Sequence, residues 1–323
     1  MRLRAGLRVL RRGPDEVQVG TDPRWAVRLT DLTPDEVDRL VRTGLEGCDD
    51  DPRLSRTAAL LTMSGLALAD DRPAGQAPDD AAWGLLRPGD LPQVRARRRA
   101  AACVGIVGLG PTALGVAAGL AAAGVGTLLL DDESTVRPSD VGVGGYRWTD
   151  VGQQREQVAA RLLRDLAPRV RLDGADRVDV LVAVEPGAAD PERGERLVAS
   201  GVTHLSVVVR EADTVVGPLV VPGAGPCLRC LDLHRADLDP AWPVLVGQLA
   251  QAGPADATAP PAEPGPVAAV ASGLATAAVL GVLDGLAPVL GVTREVGLPD
   301  AVPRERTWTV HPHCGCDRLP DEP

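Results

Sequence analysis

Two cysteine pairs and one glycine-rich turn carry the chemistry that is legible in this chain. Cys227-Leu228-Arg229-Cys230 is a C-x-x-C step, and Cys314-Gly315-Cys316 is a C-x-C step near the far end of the sequence. Four thiolates in two close pairs match a closed, tetrahedral zinc site of the structural kind, which would pin the C-terminal tail to a loop. A redox C-x-x-C is the alternative, but it leaves the second pair without a use. His311 and His313 adjoin the C-x-C pair, as replacement ligands or as residues around the site. Cys103 reads as a small buried hydrophobe and Cys48 as an exposed thiol.

The glycine-rich turn is Gly108-Leu109-Gly110-Pro111-Thr112-Ala113, a G-x-G-x-x-A pattern that directly follows the apolar run Cys103–Val107. Gly108 suits a tight turn, Gly110 lets a phosphate approach the backbone, and Ala113 permits close helix–strand packing. The helix that follows would offer unpaired N–H groups to an anion, although Pro111 removes one of them. The next apolar strand ends at Asp131-Asp132-Glu133. An acid at that place is the expected partner of a ribose hydroxyl. The turn alone does not separate ATP from NAD.

These residues need elements to hold them. From residue 102 onward strands and helices alternate: Cys103–Val107, Ala113–Ala123, Gly126–Leu130, Gln153–Asp165, Val178–Val184, Glu192–Ser200 and His204–Val209. That order predicts an α/β fold with a doubly wound, mainly parallel, Rossmann-like sheet. Residues 1–70 read as a small α+β domain, with short strands over 7–11, 16–19 and 25–29. A helix follows, capped by Thr33-Pro34-Asp35-Glu36, where Glu36 completes a capping box. A second helix is expected over Leu54–Met63. Residues 71–93, rich in Pro, Asp, Ala and Gly, read as a linker, so the larger domain runs over 94–323.

Composition narrows the function. The chain has 323 residues and a net charge of −10, which argues against nucleic acid as a partner. The cluster Arg95, Arg97, Arg98 and Arg99 reads as a solvated flank of the next strand, with an acidic or phosphate contact as the sharper alternative. No secretory signal is visible, and a cytoplasmic location and no membrane partner are expected. Residues 113–130 and 267–290 approach the length of a membrane span but are Ala/Gly-rich, and read as buried helices. There is no Lys and no Asn, so any task usually given to lysine falls to Arg, which cannot lose its proton.

The turn, the late C-x-x-C and the C-terminal pair together resemble the ThiF/MoeB/ubiquitin-activating (E1-like) adenylyltransferase family over residues 91–323. Ala121–Asp132, Val151-Gly152-Gln153-Gln154-Arg155, Gly217–Cys230 and Val267–Leu286 are similar to further segments of that family. The resemblance implies a nucleotide site built from Gly108, Gly110, Ala113, Asp131 and Glu133. It puts Arg155 at the family's phosphate-binding lysine and leaves Glu185 as the local substitute for its magnesium-binding Asp, which makes these two the catalytic candidates. It implies structural zinc on Cys227, Cys230, Cys314 and Cys316, with ATP and magnesium as the working pair. The implied partner is a ubiquitin-like protein or peptide whose C-terminal carboxylate is adenylated, and the implied assembly is a homodimer. Departures are equally visible: Ser139 and Gly142 stand where the family has Asn and Arg, with Arg137 or Arg147 as nearby cations. A catalytically degenerate scaffold that binds a leader peptide or partner enzyme is therefore the alternative. The element order of residues 1–70 is similar to winged-helix, PqqD-like peptide-recognition units. His234 and Arg235 read as the surface of a helix start, with a substrate-tail contact as the alternative.

Overall fold

Short apolar runs between residues 103 and 220 become strands, and the segments of helical period between them become helices. The computed structural model describes residues 1–4, 6–46, 48, 51–68, 82–83, 86, 92–142, 145–175, 177–251 and 262–317. The chain divides into two units, 1–97 and 98–323.

In the first unit β1 (Arg2–Leu3) pairs with β5 (Ala67–Leu68). A three-stranded antiparallel sheet joins β2 (Val9–Arg11), β3 (Val17–Val19) and β4 (Val27–Leu29) in that order. Helices α1 (Pro34–Thr43) and α2 (Pro52–Met63) complete it. Thr33 caps α1 through the expected box: its backbone N–H donates to Glu36 at 2.7 Å and its hydroxyl accepts from the Glu36 N–H at 3.3 Å. Val17, Val19, Val37, Leu40, Leu54 and Leu61 form the small core. Cys48 lies in that core too, fully buried, so the expectation of an exposed thiol is overturned. The expected linker over 71–93 lies mostly outside the described residues, and Pro92 and Gln93 already belong to α3 (Pro92–Ala101).

The second unit carries a seven-stranded sheet in the order β12-β11-β10-β9-β8-β6-β7. The strands are β6 (Cys103–Val107), β7 (Thr127–Asp131), β8 (Val180–Pro186), β9 (His204–Val209), β10 (Asp213–Val220), β11 (Val292–Gly297) and β12 (Arg304–Thr307). β7, β6, β8 and β9 are parallel, and β10 to β12 extend the sheet antiparallel. β7 lies on one side of β6 and β8 on the other, so the strand order reverses at the carboxyl end of β6, where open α/β sheets bind ligands. Helices α4 (Pro111–Ala122) and α9 (Gly265–Leu283) pack together over one face. Gly115 and Gly119 make that approach possible: a Cβ on either would stand 2.7–2.8 Å from a side-chain oxygen of Ser272 or Thr276. α9 has the length and apolar character of a membrane span, yet its Val267, Ala271, Ala275 and Val279 are fully buried. Helices α5 (Arg155–Leu166), α6 (Pro191–Ala199), α7 (Leu228–Leu238) and α8 (Trp242–Gln251) complete the unit.

The arginine cluster divides: Arg97 and Arg98 are exposed, as a solvated flank would be, whereas Arg95 and Arg99 are buried. It lies on α3, whose helical period turns Arg95 and Arg99 inward. Arg99 forks onto Asp284, the C-cap of α9, through Nε at 2.9 Å and Nη2 at 2.6 Å. Both side chains are at most 5% exposed. Arg99 Nη1 also donates to the Ala123 carbonyl at 3.2 Å, so one guanidinium ties together the ends of α3, α4 and α9. Stranding such a buried charge costs about 3–5 kcal/mol. Asp284→Ala is therefore expected to lower stability by that amount, read from the urea midpoint at an unchanged slope.

Candidate functional site

The glycine-rich turn leaves β6 at the point where the strand order reverses. Gly108 adopts φ +76°, a left-handed conformation that glycine tolerates, and a Cβ there would collide with the Val184 carbonyl of β8. Its N–H donates to the Asp131 carbonyl at 2.9 Å, which fastens the turn to the end of β7. Gly110 is the N-cap of α4 and Pro111 its first residue. Ala113 is fully buried, as close helix–sheet packing requires. Tyr146, the chain's single tyrosine, donates its hydroxyl to the Leu109 carbonyl at 2.7 Å. Burial pushes its phenol well above the usual range, which keeps it a donor.

The acidic run after β7 alternates. Asp131 and Glu133 are exposed at the sheet edge, whereas Asp132 turns inward. The Asp132 carboxylate accepts the Leu109 N–H at 2.6 Å and the Ser134 N–H at 2.8 Å, and also pairs with the Ser134 hydroxyl. Burial alone would raise its pKa, but the Ser134 and Leu109 donors and the Arg155 charge outweigh that and hold it below the usual carboxylate value. Arg155 opens α5 and is buried. Its Nε and Nη2 reach one oxygen of Asp140 at 3.0 and 2.6 Å, and its Nη1 reaches Asp132 at 3.3 Å and the Ser134 hydroxyl at 3.1 Å. Arg137 also pairs with Asp140, at 3.2 Å, whereas Arg147 is exposed. Glu263, two residues ahead of α9, accepts the Thr112 N–H at 2.9 Å.

The structure thus gathers Gly108, Gly110, Ala113, Asp131 and Arg155 around one turn. Sequence reasoning missed Asp132, Asp140, Tyr146 and Glu263. A single acidic run offered Asp132 no way to stand out from its neighbours. Glu263 comes from a Pro-rich stretch, 251–266, whose residues 252–261 lie outside those described.

Glu185 takes a different place. Val184 packs into the core under α4, so its neighbour Glu185 points to the opposite face of the sheet. There its carboxylate pairs with Arg193 of α6. Burial pushes its pKa up, opposed by the Arg193 charge. A carboxylate already matched to a guanidinium does not fit the role of a magnesium ligand in this arrangement.

The cysteine pairs converge. Cys227 caps the start of α7, and its Sγ lies 3.9 Å from Cys230 and 3.4 Å from Cys314; Cys230 lies 3.4 Å from Cys316. A tetrahedron with Zn–S bonds of about 2.3 Å has S–S edges of about 3.8 Å, whereas a disulfide needs about 2.05 Å. The four sulfurs all lie within 4.8 Å of one another, so the donor set fits zinc. Burial pushes the Cys316 thiol up to about 12 and Cys314 in the same direction. A dication would reverse that, because it binds thiolates. His311 is no substitute ligand: its ring pairs with Asp237 of α7 at 3.0 Å, and its carbonyl accepts the Cys314 N–H at 2.9 Å. His234 meets the Thr309 carbonyl at 3.0 Å. Arg235 is no helix-start surface residue either, since its guanidinium lies 4.9 Å from the Trp242 ring and 5.4 Å from that of Trp308. Purified protein is expected to carry about one zinc per chain by atomic emission. Cys230→Ser is expected to lose the metal and to unfold at lower temperature.

No protein-family model matches this sequence, and no curated protein sequence does. Solved structures do. The structure of E. coli MccB with ATP has a TM-score of 0.69 at 17% identity, covering 98% of both chains. That of the microcin C7 biosynthetic enzyme MccB with N-formylated MccA has a TM-score of 0.70 at 16% identity, covering 98% of this chain and 99% of that one. PaaA follows, with a TM-score of 0.67 at 16% identity over 94% of this chain and 99% of that one. At such identities the likeness is one of fold, and the doubly wound sheet expected from the sequence is that fold.

Proposed function

We propose that the second unit binds ATP at the glycine-rich turn and adenylates the C-terminal carboxylate of a peptide. The observation that carries this reading is the juxtaposition at the end of β6. There the turn, the N-terminus of α4 and the exposed Asp131 lie side by side, with the Arg155 guanidinium behind them. A helix N-terminus favours phosphate, and an acid at the end of the second strand favours ribose hydroxyls. The full-length fold likeness to E. coli MccB, solved with ATP and with MccA, supports the same reading.

In this chemistry a carboxylate oxygen attacks the α-phosphorus, and the bond from that phosphorus to the β-phosphate oxygen breaks. Pyrophosphate leaves with the electron pair, and a mixed acyl-phosphate anhydride remains. The protein's task is to position the two anions and offset their charge. Arg155 suits this task, because the Nη1 contacts to Ser134 and Asp132, at 3.1 and 3.3 Å, are the longer ones and are the ones a phosphate would replace, while Nε and Nη2 stay on Asp140.

A second reading, a non-catalytic scaffold that holds a peptide, is favoured by one observation. Arg155 is already neutralised by Asp132 and Asp140, while Ser139 and Gly142 supply no further cation. In that case an edge strand of the first unit would take the peptide by strand addition.

Titration calorimetry tests the nucleotide site that the first reading needs. Asp131 is exposed, so Asp131→Ala leaves the fold intact while removing a charged acceptor for the ribose. The variant is expected to bind ATP roughly 10- to 100-fold more weakly than the wild type. ATP affinity unchanged by the substitution would overturn the nucleotide reading. Labelled pyrophosphate exchange with candidate peptides then distinguishes enzyme from scaffold, since only the enzyme exchanges.

A further inference from the structure

We infer that the Glu263 carboxylate is a resident competitor for the nucleotide phosphate at the glycine-rich turn and therefore sets its nucleotide affinity. This rests on the nucleotide reading above and adds the residue that opposes it.

Two of the turn's N–H groups are already held by carboxylates of the chain, and a third position has no N–H. Pro111 has no N–H, the Leu109 N–H is taken by Asp132 at 2.6 Å, and the Thr112 N–H is taken by Glu263 at 2.9 Å. The second Glu263 oxygen lies against Gly110, where a Cβ would collide with it. That is the space a glycine at this position keeps open for a phosphate. Glu263 thus presents one carboxylate to the N-terminus of α4 in the manner of a bound anion.

Two anions do not share this cradle. Asp140 already adds negative charge nearby, and Arg155, the nearby cation, is divided between Asp140 and Asp132. An incoming phosphate must expel the Glu263 side chain and inherit the Thr112 N–H. Expulsion is feasible in this setting. Burial pushes the Glu263 carboxyl above its usual range, so its charged form is held less favourably than in water, and the Thr112 donors and the Arg155 charge offset that only in part. The competition grows with the charge of the ligand, so it is strongest against ATP and absent for adenosine.

The test is calorimetric titration of the full-length wild type and Glu263→Gln with ATP in magnesium buffer, and with adenosine. Glutamine keeps the size and the acceptor but removes the charge. Glu263→Gln is expected to bind ATP roughly 10- to 100-fold more tightly than the wild type, as for a hydrogen bond to a charged group, with adenosine affinity unchanged. A gain in affinity cannot arise from misfolding. Equal ATP binding by the two proteins, or an equal gain for adenosine, would overturn the role of Glu263 and leave the nucleotide reading standing. Absence of ATP binding by both proteins at millimolar nucleotide would overturn both.

Discussion

A guanidinium buried without a counter-charge costs several kcal/mol, and the segment from Asp131 to Arg155 is folded around that demand. Arg155 is the first residue of α5, Asp140 closes a short 3-10 turn, and Asp132 stands just past the end of β7. Asp132 and Asp140, 23 and 15 residues before Arg155, meet on this one side chain. Asp132 transmits the constraint to the glycine-rich turn by accepting the Leu109 N–H, and Tyr146 fixes the same residue from its carbonyl side. The turn is therefore held by a polar network in which each donor named here has an acceptor, the condition under which buried polar groups specify a structure.

The same network frames the chemical question. A phosphate site needs free donors and uncommitted positive charge, and this turn gives its Leu109 and Thr112 N–H groups to carboxylates of its own chain. Glu263 lies against Gly110 and Thr112, so a phosphate proposed for that part of the turn would exchange with an anion already there. Exchange costs little when each lost contact is replaced in kind, and a great deal when it is not. The cysteine cluster lies elsewhere in the unit and has a different logic. Its four sulfurs sit at the spacing a tetrahedral ion requires, and His311 braces the C-terminal loop against α7.

Local pattern was sufficient for much of this. The strand-turn-helix of residues 103–122, the capping box at Thr33, the strand that ends at Asp131 and the spacing within each cysteine step depend on residues close in sequence. Each has a period or a spacing with few readings. The C-terminal hairpin Val292–Gly297 with Arg304–Thr307 has weaker alternation and was not expected, because its pairing partner on the inner side is β10, about eighty residues earlier. Arg99 looked solvated for a similar reason: its counter-ion, Asp284, lies far along the chain.

By itself the sequence determined which residue types were available and which short-range geometries they could adopt. Glycine at 108 admits a left-handed turn, alternating apolar runs admit strands, and paired cysteines admit a metal. Only the tertiary structure decided what each charged side chain faces. Glu185 and Asp132 are both acids just beyond or at the end of a strand, and nothing local separates them. The sheet turns one toward Arg193 and the other toward Arg155 and the glycine-rich turn. Charge interactions act through space between residues brought together by folding, so their partners are a property of the fold.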